Sequence, residues 1–298
     1  MYSIYMLNSI NPNINIEDIN IENIKALAFD LDGTLLGAQA VLTQRTEKAV
    51  KACMEKGLKI IISTGRSMAS AEPFRSKLGA CGPMVYFNGA IVALMPENNV
   101  LNTTLLSKEI TASCLEISEK KGVYFHFYME PSNPKETIYP LYTKAANPMR
   151  DLYYKNTNVL SEICDVKEIL ARPEIKGSVK GMFIAEPELL DDFSPFAEQS
   201  LGKDVYIVRT TSHYLEVLSP GVSKGIGLSI ALDHLGIKTE ETIAFGDEDN
   251  DVPMIEYSRY FIATDNAKQK VKSKASLVIG PHDKDSIAIF LEKMFLGQ

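Results

Sequence analysis

A short apolar run that ends in two carboxylates constrains the fold of this chain more than any other feature. The run Ala26-Leu27-Ala28-Phe29 is followed at once by Asp30-Leu31-Asp32-Gly33. It predicts a buried parallel strand that turns at its carboxyl end, where open α/β sheets bind ligands. Both aspartates are expected to point into one site, by two side chains or by one side chain and one backbone carbonyl, around a cation. For this stretch alone, a solvated Asp-Gly turn is the alternative.

Length, charge and apolar content restrict the class of protein. The 298 residues suggest two domains or one large domain. A formal net charge of -7 argues against a nucleic-acid partner, and no apolar run reaches the roughly 20 residues that cross a bilayer. The four cysteines are scattered without a C-x-x-C pair, so we expect reduced packing residues in a cytoplasmic protein.

Residues 1–23 are rich in Asn and Ile and precede the first predicted strand. They lack the basic start and the continuous apolar core of a secretory signal, and the arginines of a transit peptide. We treat them as an N-terminal extension of unassigned role.

Strand and helix patterns alternate on both sides of a different middle segment. After the first strand, the sequence predicts helices at 43–56 and 67–78 and strands at 58–62 and 84–87. This alternation predicts a Rossmann-like, doubly wound parallel sheet of the α/β class. A hairpin is expected at 90–106, an inserted α+β domain at 107–212, and a return of the parallel sheet from Tyr214–Leu218 onward. The predicted core therefore comprises 24–106 and 213–298.

Polar residues at the predicted strand ends suit phosphoryl transfer. Asp30 can act as a carboxylate nucleophile that forms an aspartyl phosphate. Mg²⁺ fits a site of oxygen ligands, and Asp247 would be a second carboxylate ligand. Thr64 can hold phosphoryl oxygens, while Lys224 supplies positive charge. Asp32 is placed to protonate the leaving oxygen and then to activate water.

Each of these features has a simpler alternative when it is taken alone. Thr64-Gly65-Arg66 can cap a helix, and Lys224 can be a solvated lysine. The acidic run 247–251 can be a solvated turn or a loose calcium loop. Among the histidines, His126 and His213 are the two that can face a substrate.

In their order and spacing, these motifs resemble those of the haloacid dehalogenase-like hydrolases, specifically the Cof-type phosphatases with a large inserted cap of the α/β type, called C2. The matching segments are Asp30-Leu31-Asp32-Gly33-Thr34-Leu35-Leu36, Ser63-Thr64-Gly65-Arg66, Asn88-Gly89-Ala90, Gly221-Val222-Ser223-Lys224-Gly225 and Ala244-Phe245-Gly246-Asp247-Glu248-Asp249-Asn250-Asp251. The resemblance runs from about residue 24 to the C-terminus. It implies a Rossmann-like core, a cap inserted after the third strand, and Mg²⁺-dependent hydrolysis of phosphate monoesters.

The resemblance also implies a role for each site residue. Asp30 would be the nucleophile, and Asp30, the Asp32 carbonyl and Asp247 would bind Mg²⁺. Thr64 and Lys224 would hold the phosphate, and Asp251 would support Lys224 and the metal waters. The residues expected around the substrate are Gly33, Thr34, Gly65, Arg66, Asn88, Gly89 and Asn250.

Two segments depart from the family pattern. The usual Met-Gly-Asn-Ala segment is replaced by Ala263-Thr264-Asp265-Asn266-Ala267, and the usual Asp-Gly-Val by Asp285-Ser286-Ile287. Asp265 adds a carboxylate near a site that must bind an anion, which bears on the pose of the substrate.

The expected function is therefore a Mg²⁺-dependent phosphatase of small phosphorylated metabolites. Sugar phosphates come first among the substrates, with flavin mononucleotide or pyridoxal phosphate as alternatives. A phosphomutase or phosphotransferase on the same scaffold differs only in the acceptor of the phosphoryl group. A non-catalytic regulatory protein is the third alternative, but it has no chemical reason to keep the whole set of reactive residues.

Overall fold

The computed structural model describes residues 15–133 and 135–297. Their contacts divide the chain into two compact units, one formed by residues up to Ile62 and from Leu232 onward, the other by Ser63–Ala231. The predicted domain boundaries near residues 106 and 213 lie within the second unit and stay predictions. Residues 1–14 of the predicted extension lie outside the described residues.

In the described part of the chain the strands are β1 (Ala26–Phe29), β2 (Lys59–Ile62), β3 (Gly82–Tyr86), β4 (Ile91–Met95), β5 (Asn99–Thr103), β6 (Leu106–Ser107), β7 (Tyr124–Tyr128), β8 (Leu141–Thr143), β9 (Glu162–Ile163), β10 (Gly177–Ser178), β11 (Lys180–Ile184), β12 (Tyr206–Arg209), β13 (Tyr214–Leu218), β14 (Thr242–Gly246), β15 (Tyr260–Thr264) and β16 (Leu277–Ile279). The α-helices are α1 (Gln44–Glu55), α2 (Met68–Leu78), α3 (Lys108–Lys121), α4 (Pro148–Thr157), α5 (Val166–Ala171), α6 (Pro187–Leu201), α7 (Lys224–Leu235), α8 (Gln269–Lys272) and α9 (Ser286–Leu291).

The first unit is built on a five-stranded sheet in the order β16-β15-β14-β1-β2. All its neighbouring strands run parallel, and the four residues of β1 are buried, as expected for a parallel strand covered on both faces. The register sets Phe29 opposite Phe245, and the two rings stack with centroids 4.6 Å apart. The predicted parallel α/β sheet is confirmed, and the residues that follow Phe29 and Phe245 emerge at the same sheet edge.

The last residues of the predicted N-terminal extension pack on the first unit. Ile19 is buried, and the amide of Asn20 donates to the Tyr260 hydroxyl at 3.2 Å. Glu17 pairs with Lys293 at 2.9 Å. These contacts place residues 15–23 against β15 and the C-terminal segment.

The second unit contains a six-stranded sheet in the order β12-β13-β11-β7-β8-β9. Aromatic residues of β7 and β11, among them Phe125, Phe127 and Phe183, belong to an apolar core that also contains residues of α3 and α6. The next residues along each strand point to the opposite face, which carries Tyr128, Lys180 and Glu216 of β7, β11 and β13. This second face, which we call the charged face, carries the buried charges of Lys180 and Glu216.

Two predicted strand assignments are wrong. β13 pairs antiparallel with β11 and β12, so the segment Tyr214–Leu218 does not rejoin the parallel sheet. β3 pairs antiparallel with β4 in a three-stranded sheet, and its parallel contact is a single bridge between Val85 and Ser63. A buried apolar run has the same pattern in either kind of sheet, which is why periodicity alone misassigned both strands.

Two further predictions concern the cysteines, expected to be reduced packing residues, and the absence of a segment that crosses a bilayer. All four cysteines are free, and Cys53 and Cys114 are buried as expected of packing residues, whereas Cys81 is exposed. Burial raises the pKa of the Cys53 thiol to about 11. None of the helices in the described residues combines the length and the hydropathy that crossing a bilayer requires.

Candidate active site

The predicted site residues are distributed over the two units. The first unit contains Asp30, Asp32, Gly33, Thr34, Asp247, Asn250 and Asp251. The second unit contains Thr64, Gly65, Arg66, Asn88, Gly89 and Lys224. Each group is described within its own unit.

Three aspartates bring carboxylates together in the first unit. One carboxylate oxygen from each of Asp30, Asp247 and Asp251 lies within 4.8 Å of the other two. None of the three residues is more than 6% exposed. Buried like charges at this separation are costly unless a cation lies among them, and carboxylate oxygens are the ligands that Mg²⁺ prefers. The residues present therefore fit a divalent cation.

The parallel sheet explains how these aspartates meet. The Asp30 amide continues the pairing of β1 with β14 by donating to Phe245 O at 3.0 Å. On β14, Gly246 leaves room for Asp251, because a Cβ at residue 246 would lie 2.4 Å from the Asp251 Cβ. The Oδ2 of Asp251 accepts hydrogen bonds from the amides of Asp247 and Glu248, each at 2.9 Å. Asp251 thus braces the turn that carries Asp247.

The turn after Asp30 is fitted closely against Asp247. Gly33 has a φ of +78°, and a Cβ there would lie 2.3 Å from Oδ2 of Asp247. Thr34 donates its hydroxyl to Oδ1 of Asp247 at 2.8 Å. Only glycine meets both demands at residue 33, since the backbone is left-handed and the space is already filled.

The departure from the family pattern at residues 264–266 supports this same turn. Gly33 O accepts hydrogen bonds from the Thr264 hydroxyl at 3.1 Å and from the Asn266 amide group at 2.9 Å. Asp265 is exposed and pairs with Lys272 at 2.8 Å. The additional carboxylate therefore has a cationic partner, and Thr264 contributes a hydrogen bond that sequence reasoning missed.

Asp32 and the remaining acidic residues lie in more open surroundings. The Asp32 side chain is exposed, so its predicted exchange of protons is compatible with its surroundings and stays a prediction. Lys268 pairs with Glu248 at 2.6 Å and with Asp249 at 3.2 Å. Asp247 and Asp251, by contrast, are buried, so the alternative of a solvated turn is wrong for these two residues.

The second unit contains a tightly bonded turn at Thr64–Arg66. The Thr64 amide donates to Val85 O at 2.9 Å, and the Thr64 hydroxyl accepts from the Arg66 amide at 3.1 Å. The N-cap of α2 is Ser67, whose hydroxyl accepts from the Ser70 amide. The alternative that Thr64 caps this helix is therefore wrong.

A left-handed turn at Phe87–Gly89 lies beside the start of α7. The φ values of Phe87, Asn88 and Gly89 are +49°, +58° and +99°. A Cβ at residue 89 would lie 2.2 Å from Ser223 O, so glycine permits the close approach of the segment before α7. Lys224, the first residue of that helix, is 2% exposed. The alternative of a solvated lysine is wrong.

Three other predicted residues have well-defined surroundings. The Arg66 guanidinium lies 4.9 Å from the centroid of the Phe74 ring, and Asn250 is half-buried in the 247–251 turn. His213 is half-buried with Nε2 at 3.6 Å from a carboxylate oxygen of Glu186. The roles of Arg66 and Asn250 around the substrate stay predictions.

The surroundings of His126 and His282 differ from those that the sequence predicted, since His126 was expected to be able to face a substrate and His282 was given no role. His126 is fully buried on β7, with its ring centroid 4.4 Å from that of Tyr153. His282 lies beside the Gly33 turn, where Nδ1 is 2.7 Å from Leu36 O and the amide donates to the Asn266 side chain at 3.0 Å. No motif marked His282, because its contacts join segments that are distant in sequence.

Comparison with known proteins decides the family. A model of the haloacid dehalogenase-like hydrolases matches residues 27–291. The chain belongs to this family. It is 26% identical over 282 residues to the 5-amino-6-(5-phospho-D-ribitylamino)uracil phosphatase YitU of Bacillus subtilis, which covers 90% of this chain and 97% of that protein. It is also 24% identical over 296 residues to the phosphatase YwtE of the same organism, with 92% and 99% covered.

Solved structures of the family agree with the fold. A haloacid dehalogenase-like hydrolase from Bacteroides thetaiotaomicron superposes with a TM-score of 0.79 at 21% identity, covering 91% of this chain and all of that one. The subclass IIB sugar phosphatase BT4131 superposes with a TM-score of 0.75 at 25% identity, covering 90% and 98%. The predicted fold class, family and enzyme class are confirmed: the chain is a haloacid dehalogenase-like hydrolase, and the two curated relatives YwtE and YitU are named phosphatases.

Proposed function

We propose that this hydrolase is a Mg²⁺-dependent phosphatase that cleaves phosphate monoesters of small metabolites through a phosphorylated Asp30. The observation that carries the proposal is the group of three buried aspartates, Asp30, Asp247 and Asp251, with carboxylate oxygens within 4.8 Å of one another. When bound there, Mg²⁺ would neutralise charge on the carboxylates and on the phosphoryl group.

In the first half of the proposed reaction, a carboxylate oxygen of Asp30 attacks phosphorus. The bond from phosphorus to the ester oxygen breaks, and Asp32 gives its proton to the departing oxygen. We assign Thr64 and Lys224 to holding the phosphoryl oxygens, on the basis of the motif order that the family resemblance provides. Both side chains are buried, so their hydrogen bonds and charge are weakly screened by water.

In the second half, Asp32 acts as a base. Its carboxylate takes a proton from water, whose oxygen attacks the phosphorus of the aspartyl phosphate. The bond to Asp30 breaks, inorganic phosphate leaves, and both aspartates return to their starting protonation states. The exposure of Asp32 supports this assignment, because a side chain that serves a leaving group and then water must reach both.

Sugar and sugar-alcohol phosphates are the substrate class that we place first. YitU and YwtE are named for a substrate with a phosphorylated ribityl chain, and BT4131 is named a sugar phosphatase. These substrates share a phosphate ester on a polyhydroxylated carbon chain. Flavin mononucleotide has the same ribityl phosphate and remains in the panel, together with pyridoxal phosphate.

The test is release of inorganic phosphate from a panel of these esters. We expect turnover that chelation abolishes and added Mg²⁺ restores, and background activity in Asp30→Asn. Asp233→Asn, which alters an exposed carboxylate on α7, is the matched control and should keep normal turnover. Conversion of a hexose phosphate into an isomer without phosphate release would instead identify a mutase.

A further inference from the structure

A buried ion pair joins the charged face of the six-stranded sheet to the Thr64–Arg66 turn within the second unit. Lys180 of β11 is 3% exposed and Glu216 of β13 is 4% exposed, and the Lys180 ammonium lies 2.9 Å from Oε1 of Glu216. The ammonium also donates to Gly65 O at 3.0 Å. The other carboxylate oxygen of Glu216 accepts from the Asn88 amide group at 2.6 Å.

With this pair in place, all three carbonyl oxygens of the Thr64–Arg66 turn are hydrogen-bonded. Thr64 O accepts from the backbone amide of Asn88 at 3.0 Å, and Arg66 O accepts from the backbone amide of Phe87 at 3.0 Å. Gly65 O accepts from Lys180. The first two bonds come from the neighbouring backbone turn, so the third, at the centre, depends on a side chain from a distant strand.

Stability alone is a poor explanation for this arrangement. Burying a lysine and a glutamate removes both ions from water at a cost in free energy, and apolar replacements of such pairs are often neutral or stabilising. Besides bonding to each other, Lys180 donates to Gly65 O and Glu216 accepts from the Asn88 side chain. Glu216 also accepts from the hydroxyl of Thr210, which follows β12 of the same sheet, at 3.3 Å. The aromatic rings of Phe87 and Tyr128 complete the surroundings of the ammonium, with centroids 5.7 and 5.9 Å away.

A second buried cation in the same unit provides a comparison. Arg75 is buried, pairs with Glu72 at 2.6 Å and donates to Ala80 O at 2.6 Å. This pair also joins a buried cation to a carboxylate and to a backbone carbonyl, although Glu72 is only half-buried. It fixes the end of α2 rather than a predicted phosphate-binding turn. It is therefore a matched control.

We propose that Lys180 and Glu216 are positioning residues that hold the Thr64–Arg66 turn in its phosphate-binding conformation. The catalytic part of this inference rests on the proposed function, which assigns Thr64 to the phosphate. Lys180 fixes the carbonyl next to Thr64, and Glu216 orients both Lys180 and Asn88.

The test uses the full chain with the double variant Lys180→Met/Glu216→Gln. Removing both charges leaves no unpaired buried ion, so we expect the melting temperature to stay closer to wild type than in Lys180→Met alone. Gly65 O nevertheless loses its donor. Hydrogen exchange of peptides covering 63–67 should therefore accelerate, while exchange within 69–78 stays unchanged.

Turnover provides the second readout. The double variant should lose about 10- to 100-fold in kcat/KM, mostly in kcat, because a small displacement of a catalytic contact has an effect of that order. The single variant Lys180→Arg keeps the positive charge and a hydrogen-bond donor, so it should keep most of the wild-type kcat/KM. The control Arg75→Met/Glu72→Gln should leave kcat/KM near that of wild type, even if it lowers the melting temperature.

Two results would overturn the inference separately from the proposed function. Unchanged exchange at 63–67 in the double variant would show that the pair does not hold the turn, whether or not the protein is a phosphatase. Accelerated exchange with wild-type kcat/KM would show that the held conformation is not needed for turnover. Absence of phosphate release by the wild-type protein would instead count against the proposed function, and the exchange experiment would still decide whether the pair holds the turn.

Discussion

At the scale of single residues, burial separates the side chains that can share a metal ion from the one that can exchange a proton. Asp30, Asp247 and Asp251 are buried together, whereas Asp32 is exposed although it is only two residues from Asp30. The sequence predicted the importance of all four from their motifs. It did not predict the close grouping of the Asp251 carboxylate with the other two, because that grouping depends on the turn after β14.

Asp32 allows proton transfer to be tested apart from metal binding. We expect Asp32→Asn to lose about 10²–10⁴-fold in kcat, the usual size of a general acid–base contribution. Its side chain lies outside the buried group, so calorimetric titration should show Mg²⁺ affinity close to that of wild type. Loss of Mg²⁺ binding in this variant would contradict the assignment.

Lys224 requires a different variant from the one that an exposed lysine would need. Because it is buried, truncation to Ala would leave a cavity and lower stability as well as activity. Lys224→Met keeps most of the volume, and we expect it to lose more than 100-fold in kcat/KM, on the order of one lost charge-stabilising contact. Near-normal turnover in a folded Lys224→Met protein would remove Lys224 from the phosphate site.

At the scale of elements, local patterns predicted the helices well and the sheet partners poorly. The helices predicted at 43–56 and 67–78 are present as α1 and α2, and the hydroxyls of Thr43 and Ser67 cap them. Helix α4 was missed because the Tyr-, Pro- and Asn-rich segment around it lacks a clear apolar period. Helix α5 was missed although its apolar residues follow helical spacing, since it is only six residues long. Strand partners depend on contacts between distant segments, which periodicity does not contain.

The six-stranded sheet contains a buried histidine, His126, that should make the free energy of unfolding depend on pH. Burial, with a smaller effect of the charge on Lys180, lowers the pKa of His126 on β7 from its ordinary 6.5 to about 3. The folded protein therefore keeps His126 neutral at pH values where the unfolded chain takes up a proton. Titration of His126 therefore leaves the free energy of unfolding unchanged above about pH 6.5. Below that pH it lowers the free energy of unfolding by about 1.4 kcal/mol per pH unit, down to about pH 3.

Urea unfolding at pH 7 and pH 5 measures this contribution. We expect His126→Phe to reduce the fall in unfolding free energy between the two pH values. His234→Phe, which changes an exposed histidine on α7, should leave the fall unchanged. Equal pH dependence in wild type and His126→Phe would show that His126 is protonated in the folded state.

At the scale of the whole molecule, the strand pairing of the second unit determines which deletion can test how the substrate is selected. We predict that residues 107–212 act as a cap that selects the substrate. However, β13 pairs with β11 and β12, which both lie within that segment. Removing 107–212 would leave β13 without sheet neighbours and would expose the buried Glu216 and Val217.

We therefore expect a protein in which a Gly-Ser linker replaces 107–212 to lose cooperative unfolding. Circular dichroism during heating measures this directly, with the full chain as the control. A longer excision, of residues 105–219, removes β13 together with its partners and should unfold more cooperatively. If the 107–212 deletion unfolds as sharply as the full chain, the second unit does not depend on this sheet.

The central claim is that a phosphoryl group passes through Asp30, and chemical trapping of that intermediate tests it most directly. Borohydride reduces an acyl phosphate to an alcohol, so quenching the enzyme during turnover should convert Asp30 into homoserine in the peptide that contains residues 26–45. We expect this product with wild-type protein, Mg²⁺ and a substrate from the panel, and its absence with Asp30→Asn or after chelation. A trapped phosphoryl group at another residue, or full turnover by Asp30→Asn, would contradict the account.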